Sequence, residues 1–382
     1  MDVDGRIDAM ADRLAASGDM TDDSWRAVLH RVPRHVFAPE VAWASPYDGP
    51  RREIDLRKDP DGWWRAVYDP GAAIITQVDG GPSAPTSSLS APNVVLPFLE
   101  LLHPFGGQRV LDVGTGTGWT AALLCARTGE HHVTSIEIDE EVARRAAENL
   151  DKAGFGPELL VGDAATDAPE GPFDLVHVTC GVTTLPYGWV ERARPGGAIV
   201  FPWMPDFSYG YQVRLDVLPD GTAIGRLAGS AGYMMLRSQR GHRTTRTREW
   251  TQAVTGVASS TTRLDPRLLL HTPGGGLEAA MAGLVPGVRA DLCFDTEPTG
   301  EATLWLLEAS GPGGSWASVD FVPGKVEFTV EQAGARRLWD EAEAAYFEWL
   351  RWGRPPLGRF GLTVAPDRQW LWLDDPVRPV GR

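Results

Sequence analysis

The stretch Arg109-Val110-Leu111-Asp112-Val113-Gly114-Thr115-Gly116-Thr117-Gly118-Trp119 decides how the rest of the chain is read. It opens as an apolar strand, passes through three glycines at alternate positions, and enters an apolar helical run at Trp119. Glycine tolerates positive φ and lets a ligand approach the backbone closely, and the helix start offers unpaired N–H groups. The dinucleotide fingerprint spaces its glycines as G-x-G-x-x-G. Here the spacing is G-x-G-x-G, with Trp119 where the last glycine of that fingerprint would stand. The turn therefore favours a ligand without a pyrophosphate.

Two acids downstream sharpen the reading. Glu137 ends the strand 133–138, where a carboxylate can accept hydrogen bonds from both ribose hydroxyls. Asp163, in Val161-Gly162-Asp163-Ala164, ends the next strand, where an acid can take an adenine amino group. Either acid alone reads equally well as a helix N-cap or a surface charge. In register at successive strand ends, the set points to S-adenosylmethionine (SAM) and to a class I SAM-dependent methyltransferase. The cofactor-binding candidates are Asp112, Gly114, Thr115, Gly116, Gly118, Glu137, Ile138, Asp163, Ala164 and Thr179.

Composition narrows the partners. With 36 basic and 51 acidic residues among 382, the formal charge is −15, which argues against nucleic acid or an anionic membrane surface. No apolar run approaches the roughly 20 residues of a membrane span, and the acidic start Met1-Asp2-Val3-Asp4 is unlike a signal peptide. Cys125, Cys180 and Cys293 stand far apart without a CxxC pair, as expected of thiols in a reducing cytoplasm rather than a zinc site. The bases are nearly all arginine, lysine appearing only at 58, 152 and 325, and Gly and Pro are abundant. Such a bias follows a GC-rich genome and suggests a bacterial source.

Four segments are expected. Residues 1–45 read as helical, with a first helix around Ile7, Met10 and Leu14 and a second capped at Thr21-Asp22-Asp23-Ser24. Residues 46–92 read as a long Pro/Gly/Asp-rich loop on the substrate side, holding one short strand at 72–78, a Gly80-Gly81-Pro82 turn and the pair Trp63-Trp64. That pair is either core or a substrate lid. Residues 93–238 alternate helix and strand, which predicts a doubly wound, Rossmann-like parallel sheet. Residues 239–382 form an α+β extension, with strands at 302–308, 315–321 and 325–330, a helix over 333–352 and a last strand at 370–373.

The order of these pieces resembles the protein L-isoaspartyl O-methyltransferase family. Arg31-Val32-Pro33-Arg34-His35-Val36-Phe37-Ala38-Pro39 is similar to that family's "vPRxxFvP" signature, and Leu89-Ser90-Ala91-Pro92 to its "ISxP" loop. Phe173-Asp174-Leu175-Val176-His177-Val178, Arg194-Pro195-Gly196-Gly197, Phe201-Pro202 and a strand Gly232-Tyr233-Met234-Met235-Leu236 follow in family order over residues 5–238. The resemblance implies SAM as cofactor, S-adenosylhomocysteine as its product, a peptide or protein carboxylate as acceptor, and Ser90 with its neighbour Ser88 as catalytic hydroxyls. The alternative for both serines is a structural one, as caps for the helix after Pro92.

The extension resembles variants found beside ribosomally synthesised modified peptides (lanthipeptides, lasso peptides, graspetides). That implies methylation of an aspartate side chain, the ester leading through succinimide to isoaspartate or aspartimide, with the extension reading the peptide. Two alternatives stand beside it: repair of L-isoaspartyl residues in damaged proteins, and a peptide-binding module with a vestigial core. A carboxylate with a pKa near 4 is already ionised at neutral pH, so the transfer needs no strong base. The chain accordingly carries no Ser-His-Asp pattern and no metal-ligand cluster. His35, His131, His132 and His177 read as loop or strand residues rather than catalysts.

Overall fold

The computed structural model describes residues 2–79, 84–207, 210–240, 250–251, 253–254, 256–270, 274–295 and 299–381. The expected Gly80-Gly81-Pro82 turn lies outside them. Instead of a single cut near residue 239, contacts divide the chain into two interleaved units. Unit 1 holds residues 1–180, 186–201 and 214–223; unit 2 holds 181–185, 202–213 and 224–382.

Unit 1 begins with α1 (Val3–Ser17), capped by the Asp2 side chain and stopped by Gly18 in the left-handed conformation. It buries Ile7, Met10 and Leu14. Helix α2 (Ser24–Arg31) turns Trp25, Val28 and Leu29 inward. Its N-cap is Asp23, which makes no side-chain cap bond.

The expected loop over 46–92 is regular structure. Strands β1 (Val41–Pro46), β2 (Arg52–Asp55), β3 (Ala72–Val78) and β4 (Pro85–Leu89) form an antiparallel sheet in the order β2-β1-β3-β4. Helix α3 (Pro60–Val67) lies between β2 and β3 in sequence, with an Asp59 cap and proline in its first turn. Trp63 and Trp64, at 3% and 8% exposure, belong to the core here, so the lid reading of that pair falls. The Trp63 indole donates to Pro39 O at 3.0 Å, and Arg6 lies over the Trp64 ring.

Helix α4 (Pro92–Leu102) leads into β5 (Val110–Val113), α5 (Trp119–Thr128), β6 (Val133–Glu137), α6 (Glu140–Ala153), β7 (Glu158–Val161), β8 (Phe173–Val178), α7 (Tyr187–Arg192) and β9 (Ala193–Trp203). The parallel strands stand in the order β9-β8-β5-β6-β7, followed beyond β9 by β10 (Tyr211–Val217). Strands β5, β6 and β8 are buried along nearly their whole length, as a sheet covered on both faces requires. Val113 pairs with both Ile136 and Val178, and Glu137 with Val161. The carboxyl ends of the central strands therefore share one edge, where ligands of open α/β sheets bind.

Unit 2 contains β11 (Ala223–Ser230), and the strand expected over 232–236 does not form. Only an isolated bridge from Met235 to Gly181 forms there. Strand β12 (Ala258–Thr262), helix α8 (Gly276–Leu284), and strands β13 (Val288–Phe294), β14 (Ala302–Glu308), β15 (Trp316–Phe321) and β16 (Phe328–Ala333) follow. The five strands make an antiparallel sheet in the order β12-β16-β15-β14-β13. Helix α9 (Leu338–Arg351) starts later than expected, because residues 328–333 alternate buried and exposed and continue the sheet. Leu277, Met281, Leu304, Leu306, Val319, Val330 and Trp339 belong to one core cluster. A hairpin of β17 (Phe360–Ala365) and β18 (Arg368–Leu373) ends the chain.

Candidate active site

The glycine turn is held from three sides, all within unit 1. Gly114, Gly116 and Gly118 have φ of +91°, +56° and +89°, a region that other residues avoid. Gly114 N donates to Ile136 O at 2.9 Å, which ties the turn to the end of β6. Thr179, the first residue after β8, donates its hydroxyl toward Val113 O and Gly114 O at 2.9 and 2.6 Å. A Cβ on Gly114 would stand 2.5 Å from the Thr179 Oγ1. Gly118 serves packing instead: a Cβ there would meet Leu150 and the Ala146 carbonyl of α6.

Glu137 takes its place through backbone donors. Its Oε2 accepts from Gly116 N at 3.0 Å and its Oε1 from Asp139 N at 3.1 Å. Asp139 caps α6 through Val142 N, and Gln77 of β3 donates to its other oxygen at 3.4 Å. The cap of α6 is therefore Asp139 and not Glu137. Ile138 is partly exposed beside it.

Asp163 follows β7 and its Oδ1 accepts from Ala165 N at 3.0 Å, bending the chain there. Ala164 is buried, and its carbonyl accepts from the Trp189 indole at 2.7 Å. Both acids therefore sit at the shared carboxyl edge, one strand apart.

Asp112 differs from the expectation of cofactor contact. It is fully buried in β5 beneath the turn. Ser135 donates to its Oδ2 at 2.8 Å, His177 Nδ1 lies 2.9 Å from its Oδ1, and Thr115 Oγ1 lies 2.7 Å from Ser135 Oγ. The central strands bring these groups into one layer, so Asp112 braces the turn from below. His177 had no nameable partner in the sequence; the parallel register of β5 and β8 supplies it.

Of the two serines, Ser88 stands beside this turn. Ser88 is on β4, paired with Ile75 of β3, and its carbonyl would lie 3.4 Å from a Cβ on Gly116. Neither serine caps α4: the N-cap is Ala91, with no side-chain bond.

Sequence reading missed what holds segment 88–90, which is Arg34. This residue is 1% exposed. Its Nη2 donates to Ala72 O, Leu89 O and Ser90 O at 3.0, 3.2 and 2.9 Å, and its Nη1 to Val67 O. The guanidinium also lies 5.4 Å from the Trp119 ring centroid, at the start of α5. Burial lowers its pKa, yet arginine starts so high that it stays charged at neutral pH. The signal available in sequence was Arg34's place in the Pro33-Arg34 signature, which says nothing of its partners. His35 packs at the same 3₁₀ turn, with Nδ1 2.8 Å from the Tyr68 hydroxyl and its ring against Trp64; burial lowers its pKa.

Among the described residues, no group of acids, histidines and cysteines is arranged to hold a metal ion. No helix among them is long and apolar enough to cross a membrane.

Residues 6–215 match the family model described as Protein-L-isoaspartate(D-aspartate) O-methyltransferase (PCMT). The chain is 30% identical over 239 residues to the Protein-L-isoaspartate O-methyltransferase of Aeropyrum pernix, covering 61% of this chain and 80% of that protein. It is 31% identical over 233 residues to the enzyme of the same name from Thermococcus onnurineus, covering 60% of this chain and 92% of that one. A solved structure named protein-L-isoaspartate O-methyltransferase superimposes with a TM-score of 0.54 at 18% identity, over 97% of this chain and all of that one. Its fold match extends past the family-model region into the C-terminal half.

Proposed function

The chain belongs to the protein-L-isoaspartate(D-aspartate) O-methyltransferase family, a SAM-dependent carboxyl O-methyltransferase on the class I fold, and from that premise we propose that its acceptor is the carboxylate of an L-isoaspartyl residue in a peptide or protein. The observation carrying the site assignment is the approach of the Ser88 carbonyl to Gly116. It brings segment 88–90, which we take as the acceptor side, beside the glycine turn, where a Cβ on Gly116 would already be in van der Waals contact with that carbonyl.

The donor set suits SAM. Positive-φ glycines leave the backbone open, Glu137 is oriented by two N–H donors for a ribose diol, and Asp163 stands at the next strand end for adenine. When bound, SAM supplies an electrophilic methyl group to the acceptor oxygen. Gly114, Thr115 and Gly116 would receive its amino-acid end, with Thr179 and Asp112 keeping the turn in shape and Ile138 and Ala164 bordering the adenosine. Ser90 and Ser88 would orient the acceptor carboxylate by hydrogen bonds without protonating it. Holding two reactants in line is worth roughly 7–11 kcal/mol, enough to carry a transfer that needs no general base.

The expectation of an aspartate in a ribosomally made, modified peptide has less support than isoaspartate, since the relatives above are named for isoaspartate. The reading persists as a second one because residues 216–382 lie outside the family-model match. In either case we assign peptide recognition to the C-terminal unit. Offering the purified chain labelled SAM with an isoaspartyl peptide, its aspartyl isomer and candidate modified peptides separates the two. Methyl transfer to the isoaspartyl peptide alone supports the proposal; transfer only to an aspartyl or modified peptide overturns it.

A further inference from the structure

The acceptor half of the site is built around a buried cation without an acid. Among the described residues, no carboxylate lies within ion-pair distance of Arg34. Asp69, whose charge is felt at Arg34, pairs with Arg13 at 3.1 Å. The four oxygens that the guanidinium reaches are neutral backbone carbonyls from the end of α3, the start of β3, the end of β4 and Ser90. Its Nε has no hydrogen-bond partner. A buried charge is costly unless something compensates it, and carbonyl dipoles do so only in part.

We propose that Arg34 is the positioning residue of the acceptor half: its guanidinium clamps segment 88–90 by the carbonyls, and its charge, which no carboxylate pairs directly, draws a carboxylate to that segment. This rests on the reading that segment 88–90 receives the acceptor. Two physical effects separate here. The planar fork holds several carbonyls at once, which a lysine ammonium cannot reproduce, so the geometry belongs to arginine specifically. The charge belongs to any cation at this place. An acceptor carboxylate carries a full negative charge before transfer and none as the ester, so a nearby cation favours the bound acid over the product. Charge at position 34 therefore acts on acceptor binding, while the fork acts on turnover through the placement of Ser90.

The experiment compares the full-length wild type with Arg34→Lys and Arg34→Gln. SAM Kd, the kcat and KM for an isoaspartyl peptide, and binding of that peptide against its analogue with the free α-carboxylate turned into a carboxamide are measured, with thermal melting as the check on folding. Arg34→Lys should keep KM near wild type and lose about tenfold in kcat, whereas Arg34→Gln should also raise KM about tenfold. SAM Kd should stay within about twofold in both, since the cofactor turn is held by other groups. Equal KM values in the two variants, or an unchanged kcat in Arg34→Lys, overturn the proposal. Should Arg34→Gln fail to fold, Arg34→Lys decides alone: it must lose kcat and still bind carboxylate about tenfold tighter than carboxamide. Equal binding of the two overturns it. A wild type that leaves the isoaspartyl peptide unmethylated counts against the acceptor reading instead, and the carboxylate-against-carboxamide comparison still judges Arg34.

Discussion

The cofactor turn and the serine segment meet where Ser88 O approaches Gly116, yet they are held in opposite ways. The turn is shaped locally by glycines whose φ values other residues resist, and its clasp from Thr179 falls on carbonyls of the turn itself. The serine segment has no such backbone constraint. Its carbonyls are gathered by Arg34 from 55 and 56 residues away in sequence. The first half survives as a motif; the second exists only when α3, β3 and β4 have packed around one cation.

That contrast can be broken at four places. The largest effect is expected at Gly114→Val, which puts a β-branched residue at φ +91° against the Thr179 hydroxyl. Calorimetric SAM affinity should fall by about 100-fold or more, a backbone cost of several kcal/mol. Near-normal affinity would mean that the turn is not locally fixed.

Next comes Ser90→Ala, expected to lower turnover by about 10- to 100-fold with SAM affinity unchanged, since a hydroxyl lost from an oriented acceptor costs the reaction and not the cofactor. Wild-type turnover would leave segment 88–90 with a structural part only. A smaller loss is expected for Thr179→Val, which removes the two bonds to the turn: about three- to tenfold in SAM affinity, one hydrogen bond being worth about 1 kcal/mol. If SAM affinity is unchanged, the clasp is dispensable and the glycines alone hold the turn.

The smallest lies away from both halves, where His30 of α2 meets Asp4 and Asp8 of α1. Hydrogen bonding to Asp8 raises the His30 pKa above 6.5, so the folded protein holds that proton more tightly than the unfolded chain. The stabilisation is complete below the unfolded value and is lost as pH rises through the raised folded one. Asp8 runs the other way: the bond to His30 lowers its pKa, so its contribution is present above 3.8 and lost as pH falls through the depressed value. Wild-type melting temperature should therefore drop relative to His30→Gln as pH is raised from about 6 to about 8, with SAM affinity following the same course in both. Parallel melting curves would remove His30 from the account.

How much was legible follows from where the constraint lies. Strands β5, β6 and β8 announced themselves as apolar runs because both faces of their sheet are covered. Residues 46–92 did not, because their strands are short and β4 is built from Pro85-Thr86-Ser87-Ser88-Leu89, which carries turn-like residues. The cap and first-turn proline of α3, Asp59-Pro60, lie inside the stretch expected as loop, with Trp63, Trp64 and Val67 buried along the helix. Those tryptophans read equally as lid or core until burial decided. The strand expected at 325–330 lies three residues further on, so that Ala333 closes β16 and the helix expected from 333 starts at Leu338.

The sequence by itself determined the order and spacing of Gly114, Gly116, Glu137 and Asp163, on which the proposed cofactor site rests. Each acts through its own backbone conformation or its place at a strand end, which residue type and position specify. Only the tertiary structure decided that Asp112 lies under the turn with His177, 65 residues on, and that Arg34 holds Ser90 across 56. A buried polar side chain is defined by the partners that replace water around it. Those partners arrive from elements far apart in the chain, so no local pattern can name them.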